Sequence, residues 1–242
     1  MIKSIAILPV SEMGKELASR ISLAYPEAVI YNYSDAEKAF RESQALIYIG
    51  ALGICVRSIA PFVKDKHSDP AVVCIDSTGK HVISVLSGHI GGANRLTEEL
   101  ARLLQAEPVI TTQSDNMGLW ALDTLAHTYN WTMKLRLKDH EEDVDGEKSD
   151  ALLNRAIALF VNKKQVALLL EQEDEGSRFL EKTCPSHVHI YKDITEIPTN
   201  QYELIIAVSP YKHVYPALCL QFIPKVLHIG VGCKRNLEVE DA

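Results

Sequence analysis

Short apolar runs, continuous rather than alternating, recur along this chain with helical patterns between them, and that alternation leaves few ways to fold. Ile2 to Pro9, Ala45 to Ile49, Ala71 to Ile75, Val82 to Leu86, Gln165 to Leu170 and Leu204 to Val208 read as strands. A strand that is apolar at every position has no face for water, so these runs predict sheets covered by helices on both sides. Leu17, Ile21 and Ala24, and later Leu96, Leu100, Leu103 and Leu104, fall at the spacing of one helix face. The expected fold is α/β: a layered α/β/α arrangement on a largely parallel sheet, followed by a second, smaller α/β domain.

Further helices are expected over 14–24, 35–41, 52–63 and 119–129. Ala71 to Ile75 and Val82 to Leu86 flank Ser77-Thr78-Gly79-Lys80, a turn of the right length for a hairpin. The acidic run Asp139 to Asp150 reads as a solvated linker. The domains expected are 1–135, carrying the glycine turns, then 136–224, then 225–242 as the start of a further domain.

Among 242 residues no apolar run approaches the ~20 needed to span a bilayer, and residues 1–10 lack a signal-peptide cleavage site. A cytoplasmic protein with no membrane partner is expected. Net charge −7 disfavours nucleic acid. The five scattered cysteines form no C-x-x-C pair, which argues against a disulfide framework and a cysteine zinc site. His187 and His189 make only two metal ligands; His127, His213 and His228 have no legible partner. No metal site is expected.

The stretch richest in chemistry is Ser87-Gly88-His89-Ile90-Gly91-Gly92-Ala93-Asn94, between a strand and a helix. Glycines there admit positive φ and close approach, and a helix start offers free N–H groups to an anion or oxyanion. His89 can serve as general acid or base, or bind a carboxylate. Gly50-Ala51-Leu52-Gly53, followed by Arg57, is a second turn of this kind. If the sheet is parallel there, both turns open at the same carboxyl edge, where such folds place ligands, and Arg57 becomes a fork-shaped donor for a carboxylate. Lys64-Asp65-Lys66-His67-Ser68-Asp69 is a mixed-charge loop. Thr111 to Asn116 follows a strand, with Ser114 or Asp115 as a helix cap and Asp115 able instead to orient a histidine. No G-x-S-x-G elbow, H-E-x-x-H, Walker A loop or G-x-G-x-x-G is present, which disfavours nucleotides.

Taken together, Gly50 to Pro61, Lys64 to Val72, Val85 to Asn94 and Pro108 to Thr112 with Asp115 resemble the cobalamin-biosynthesis protein CbiG. Residues 116–225 match that family only in general character, as its variable middle. Gly230 to Arg235 resembles the start of its C-terminal domain, with Asn236 where a glycine is common; the body of that domain does not follow. The resemblance implies a cobalt-precorrin-5A hydrolase, opening the δ-lactone of a corrin precursor and releasing acetaldehyde to give cobalt-precorrin-5B. It implies no cofactor of the protein's own, since cobalt arrives in the substrate. The alternative is a tetrapyrrole-binding or escort module without chemistry.

On the hydrolase reading His89 is base or acid, and Gly91 and Gly92 N–H groups are oxyanion donors. Asp65 or Asp115 is the orienting carboxylate. Gly50, Gly53, Arg57, Lys64, Lys66, Ser87, Gly88, Asn94 and the nearby Arg95 join them around an anionic cobalt corrinoid. Other enzymes of the pathway, a separately supplied C-terminal domain, or a second copy in a homodimer are the further partners it allows.

Overall fold

The computed structural model describes residues 2–138 and 147–225; the expected domain start at 225–242, Lys225 apart, and most of the acidic run lie outside them. The described part forms two compact units, divided between Leu125 and Ala126. The first sheet has six strands: β1 (Ile5–Pro9), β2 (Val29–Ile30), β3 (Ala45–Ile49), β4 (Ala71–Ile75), β5 (His81–Leu86) and β6 (Glu107–Val109), in the order β2-β1-β3-β4-β5-β6.

The continuous apolar runs are explained by the two cores they serve. Ile5 and Ile7, Ala45, Ile47 and Ile49, and Ala71, Val73 and Ile75 face one way. There they meet α1 (Glu12–Ala24) through Leu17, Ala18 and Ile21, and α4 (Ala93–Leu104) through Leu96, Leu100 and Ala101. The residues between, Ala6, Leu8, Leu46, Tyr48, Val72 and Cys74, face the other way. They pack on Ala39 and Phe40 of α2 (Ala36–Glu42) and on Cys55 and Ile59 of α3 (Leu52–Ile59). In β1, β3 and β4 successive positions are thus inward for one layer or the other. The helix expected to 63 ends at Ile59, two residues before Pro61, whose ring disfavours helical geometry in the residue before it.

Strand direction decides where the motifs lie. β2, β1, β3 and β4 are mutually parallel, but β4 and β5 pair antiparallel through the expected hairpin, and β6 follows β5 in parallel. Asp76 closes that hairpin by accepting the N–H groups of Thr78, Lys80 and His81. The chain therefore leaves β5 at the edge where β4 begins. The expectation that both glycine turns share one edge fails for this reason.

In the second unit, β7 (Thr132–Arg136), β8 (Val166–Leu170), β9 (Val188–Tyr191), β10 (Leu204–Val208) and β11 (Leu218–Ile223) form the order β7-β11-β10-β8-β9. Only β7 is antiparallel. Because Thr132–Arg136 pairs with β11, it belongs to the second sheet, so this unit begins before the expected residue 136. One face carries Ala167, Leu169, Ile205, Ala207 and Cys219 under Tyr202 and Tyr215. α7 (Glu147–Val161) packs on β7, β10 and β11, and its first turn falls at the end of the run expected as linker. α8 (Glu175–Lys182) starts on a capping box of Asp174 and Ser177.

Two short helices complete the described chain: α5 (Gln113–Asn116) and α6 (Leu125–Thr128). The helix expected over 119–129 is confined to this last turn. Trp120 and Leu122 are buried from non-helical backbone instead. Among the described residues no helix is long and apolar enough to cross a membrane.

Candidate functional site

The crossover β5–α4–β6 builds a site at the carboxyl ends of its two parallel strands. Leaving β5, Ser87 takes a left-handed backbone (φ 55°), unusual for a residue with a Cβ, and its hydroxyl donates to Asp69 O at 3.0 Å. The loop then closes on itself: Gly92 N–H donates to His89 O (3.0 Å), Ala93 N–H to Ser87 O (3.2 Å) and Asn94 N–H to Gly88 O (3.0 Å). Glycine is required by crowding at two points. A Cβ on Gly88 would lie 2.7 Å from Asn94 Oδ1, and one on Gly91 2.5 Å from Ser87 Cβ and 2.8 Å from its carbonyl oxygen. Gly92 supplies the left-handed turn (φ 86°) into α4.

This geometry corrects the anion-nest reading of the stretch. The N–H groups of Gly92, Ala93 and Asn94 are given to carbonyls of the loop itself, so Gly92 is not an oxyanion donor. The loop's purpose is to hold side chains.

Asn94, 7% exposed, is the hub. Its Oδ1 accepts from Ser84 Oγ at 2.7 Å, and its Nδ2 donates to Thr112 Oγ1 and to Asp115 Oδ2, both at 2.8 Å. Asp115 Oδ2 also meets His89 Nε2 at 2.7 Å, with Ser114 Oγ 3.3 Å from the same nitrogen. On the other side of the ring Nδ1 lies 3.3 Å from Asp123 Oδ1, an ion-pair contact without the direction of a good hydrogen bond. The imidazole thus bridges two carboxylates. Its side chain is 16% exposed and that of Asp123 10%, whereas Asp115 reaches solvent at 39%.

Asp123, then Asp115, stabilises the charged ring against burial, which works the other way, and together they hold the His89 pKa up to about 9. This favours the imidazolium form of His89 at neutral pH. Asp115 Oδ1 has no hydrogen-bond partner among the described residues, so the exposed, oriented carboxylate is the group able to meet a ligand.

The remaining expected residues divide by edge. The 64–70 loop leads into β4 and is tied to Ser87 through Asp69, so Lys64 and Lys66 lie at the edge that carries His89. Asp69 is buried and accepts the Lys64 N–H with both oxygens, at 3.1 and 2.9 Å. Asp65 is in the same loop but spent on it, accepting from His67 N, Ser68 N and Ser68 Oγ. The carboxylates in contact with His89 are instead Asp115 and Asp123. Arg95 is exposed and paired to Glu99 at 3.4 Å.

Gly50, Gly53 and Arg57 lie elsewhere. Gly50 N–H donates to Ile75 O (2.8 Å), at the far end of β4, and from Asp69 to Ile75 the strand direction covers roughly 20 Å at ~3.3 Å per residue. These three residues are therefore removed from the His89 site. Asp123 and Ser84 belong to this cluster and were not among the expected residues. Asp123 falls inside an apolar pattern read as helix, and nothing local marks its carboxylate as the partner of a histidine 34 positions earlier.

Fold and site define a protein of two mixed α/β units whose first unit carries a histidine–dicarboxylate centre at the mouth of a βαβ crossover. Residues 35–115 match the family model described as Cobalamin synthesis G N-terminal, and residues 120–224 that described as Cobalamin biosynthesis central region. The chain belongs to the CbiG family of cobalamin biosynthesis, through these N-terminal and central regions. It is 32% identical over 96% of its length to the cobalt-precorrin-5A hydrolase of Priestia megaterium, and 36% identical over 83% to that of Salmonella typhimurium. It covers 65% and 53% of those two relatives, so it spans between half and two thirds of their length. A cobalamin biosynthesis protein G homologue from Sulfolobus solfataricus has the same fold, with TM-score 0.52 and 20% identity over 93% of this chain and 61% of that one.

Proposed function

We propose that this chain acts as a cobalt-precorrin-5A hydrolase, with the β5–α4–β6 centre as its reacting site. The single observation that carries the reading is the His89 bridge between Asp115 and Asp123, anchored by Asn94. The names of the two relatives supply the substrate class. A δ-lactone opens when water adds to its carbonyl carbon and the ring C–O bond breaks, leaving a carboxylate and an alcohol. Asp115, held through Oδ2, takes the water proton with Oδ1. The imidazolium of His89 stabilises the negative charge that develops and returns a proton to the departing alkoxide. Extrusion of the two-carbon fragment then breaks a C–C bond: the alcohol O–H returns its proton to the now neutral imidazole of His89, its carbon becomes the C=O of acetaldehyde, and the electron pair of the broken bond passes to the macrocycle.

Lys64 and Lys66 stand at the same edge as donors for the acetate and propionate groups of such a substrate. Both oxygens of Asp69 hold the backbone of Lys64, which fixes where that side chain starts. The experiment is incubation with the cobalt lactone substrate and measurement of acetaldehyde. Asp115→Asn and His89→Ala are each expected to lower turnover by ~10²-fold or more. Binding of substrate without acetaldehyde would instead mark an escort module, and full turnover by folded Asp115→Asn would remove that residue from the mechanism.

A further inference from the structure

A second constellation sits in the other unit, at the point where its strand order turns back. From β8 the chain moves outward to β9, then returns to β10 on β8's other side, so the carboxyl ends of β8 and β10 flank a switch point, the usual place for a ligand in open α/β sheets. The residues immediately following those ends are Glu171 and Ser209. Ser209, fully buried, donates its hydroxyl to Glu171 Oε2, and the same oxygen meets His213 Nε2 at 2.7 Å. Glu171 is 10% exposed and His213 21%.

The loop that carries His213 is pinned from beneath. Buried Gln221 donates to Ser209 O (3.0 Å) and Tyr211 O (2.8 Å), while its Oε1 accepts from Arg136 Nε at 2.8 Å. Tyr215 meets the imidazole edge-on at 5.9 Å between centroids and Tyr211 does so at 6.1 Å. An ionised carboxylate can only accept, so Nε2 carries the proton and Nδ1 the lone pair. That nitrogen has no partner among the described residues. A buried carboxylate backed by a serine and aimed at one ring nitrogen, with the other left open, is the support that metal-ligating histidines receive.

One imidazole cannot hold a bare ion, and no cluster of three or more ligating side chains is present among the described residues. It is enough for a metal whose equatorial positions are filled by a macrocycle, where a single axial ligand suffices. Tyr211 and Val214, 58% and 47% exposed, flank His213 with flat and apolar surface suited to a ring. We propose that His213 is an axial ligand to the cobalt of a corrinoid, Nδ1 displacing a bound water while Nε2–H stays on Glu171. This rests on the corrinoid reading above and assigns the second unit a binding role in it.

The test uses the full chain and diaquacobinamide, a cobalt corrin without its own base, followed by visible absorption, with gel filtration to score binding separately. The expected result is the red shift of imidazole ligation in the wild type. His213→Ala loses it, free imidazole restores it, and Glu171→Gln weakens it by roughly tenfold or more in affinity. A wild type that binds with its aqua spectrum unchanged overturns the axial ligand and leaves the corrinoid reading standing. A folded His213→Ala that keeps the shift overturns it too, as does unchanged affinity in Glu171→Gln should the alanine variant not fold. Failure of the wild type to bind at all also overturns the axial ligand, and acetaldehyde release from the lactone substrate then decides the corrinoid reading separately.

Discussion

Replacing Asp123 by asparagine tests the centre most directly, because it removes one of the two charges that hold the His89 proton and keeps the shape. From an ordinary value of 6.5 to about 9, the carboxylates stabilise the imidazolium by roughly 3 kcal/mol at ~1.4 kcal/mol per pH unit. The ring is buried enough for solvent to screen little of this. A histidine whose folded pKa lies above its unfolded value adds stability that is complete below pH 6.5 and is lost as pH rises through 9. Wild-type stability should therefore fall by up to about 3 kcal/mol between pH 6 and pH 10 from this group. In Asp123→Asn the fall should be smaller and occur at lower pH, since the larger of the two supports to the charged ring is gone. Two-dimensional NMR of the imidazole protons gives the His89 pKa directly, and urea denaturation across pH gives the stability. A wild-type His89 that titrates near 6.5, or an Asp123→Asn variant in which it still titrates near 9, would refute the bridging argument.

The glycines make a contrasting pair. Gly91→Ala should destabilise by about 1–3 kcal/mol in urea melts, because its Cβ meets Ser87 backbone and Cβ, whereas Gly53→Ala meets nothing within 4 Å and should gain about 0.5–1 kcal/mol from helix propensity. Arg57→Ala, at the other edge of the first sheet, should leave acetaldehyde release unchanged, while Lys64→Ala should raise KM with little effect on kcat. In the second unit, burial lowers the His187 pKa against some help from a backbone bond at Phe160. Stability from its neutral ring should be present above pH 6.5 and lost as pH falls below that value; the acid limb of a thermal-melt series should flatten in His187→Leu.

Much of this protein is written locally. Continuous apolar runs determined strands buried on both faces, and the helical spacing of Leu96, Leu100 and their neighbours determined the cover, because side-chain periodicity is a property of a few consecutive residues. The loop from Ser87 to Asn94 was legible as special for the same reason: three glycines around a histidine mark a tight turn with close backbone approach. The role of that loop was not legible. Its last three N–H groups are given to its own carbonyls, and its side-chain hub needs Asn94 to meet Ser84, Thr112 and Asp115, contacts between residues up to 21 positions apart.

The division of the expected site between two edges was likewise settled by one pairing, the antiparallel β4–β5 hairpin. A single reversal sends Gly50 and His89 to opposite ends of the strands, and no pattern within either motif records which way its strand will run. Asp123 and Glu171 show the same limit. Each carboxylate sits in unremarkable sequence, and only the close packing of distant segments gives it a histidine to hold.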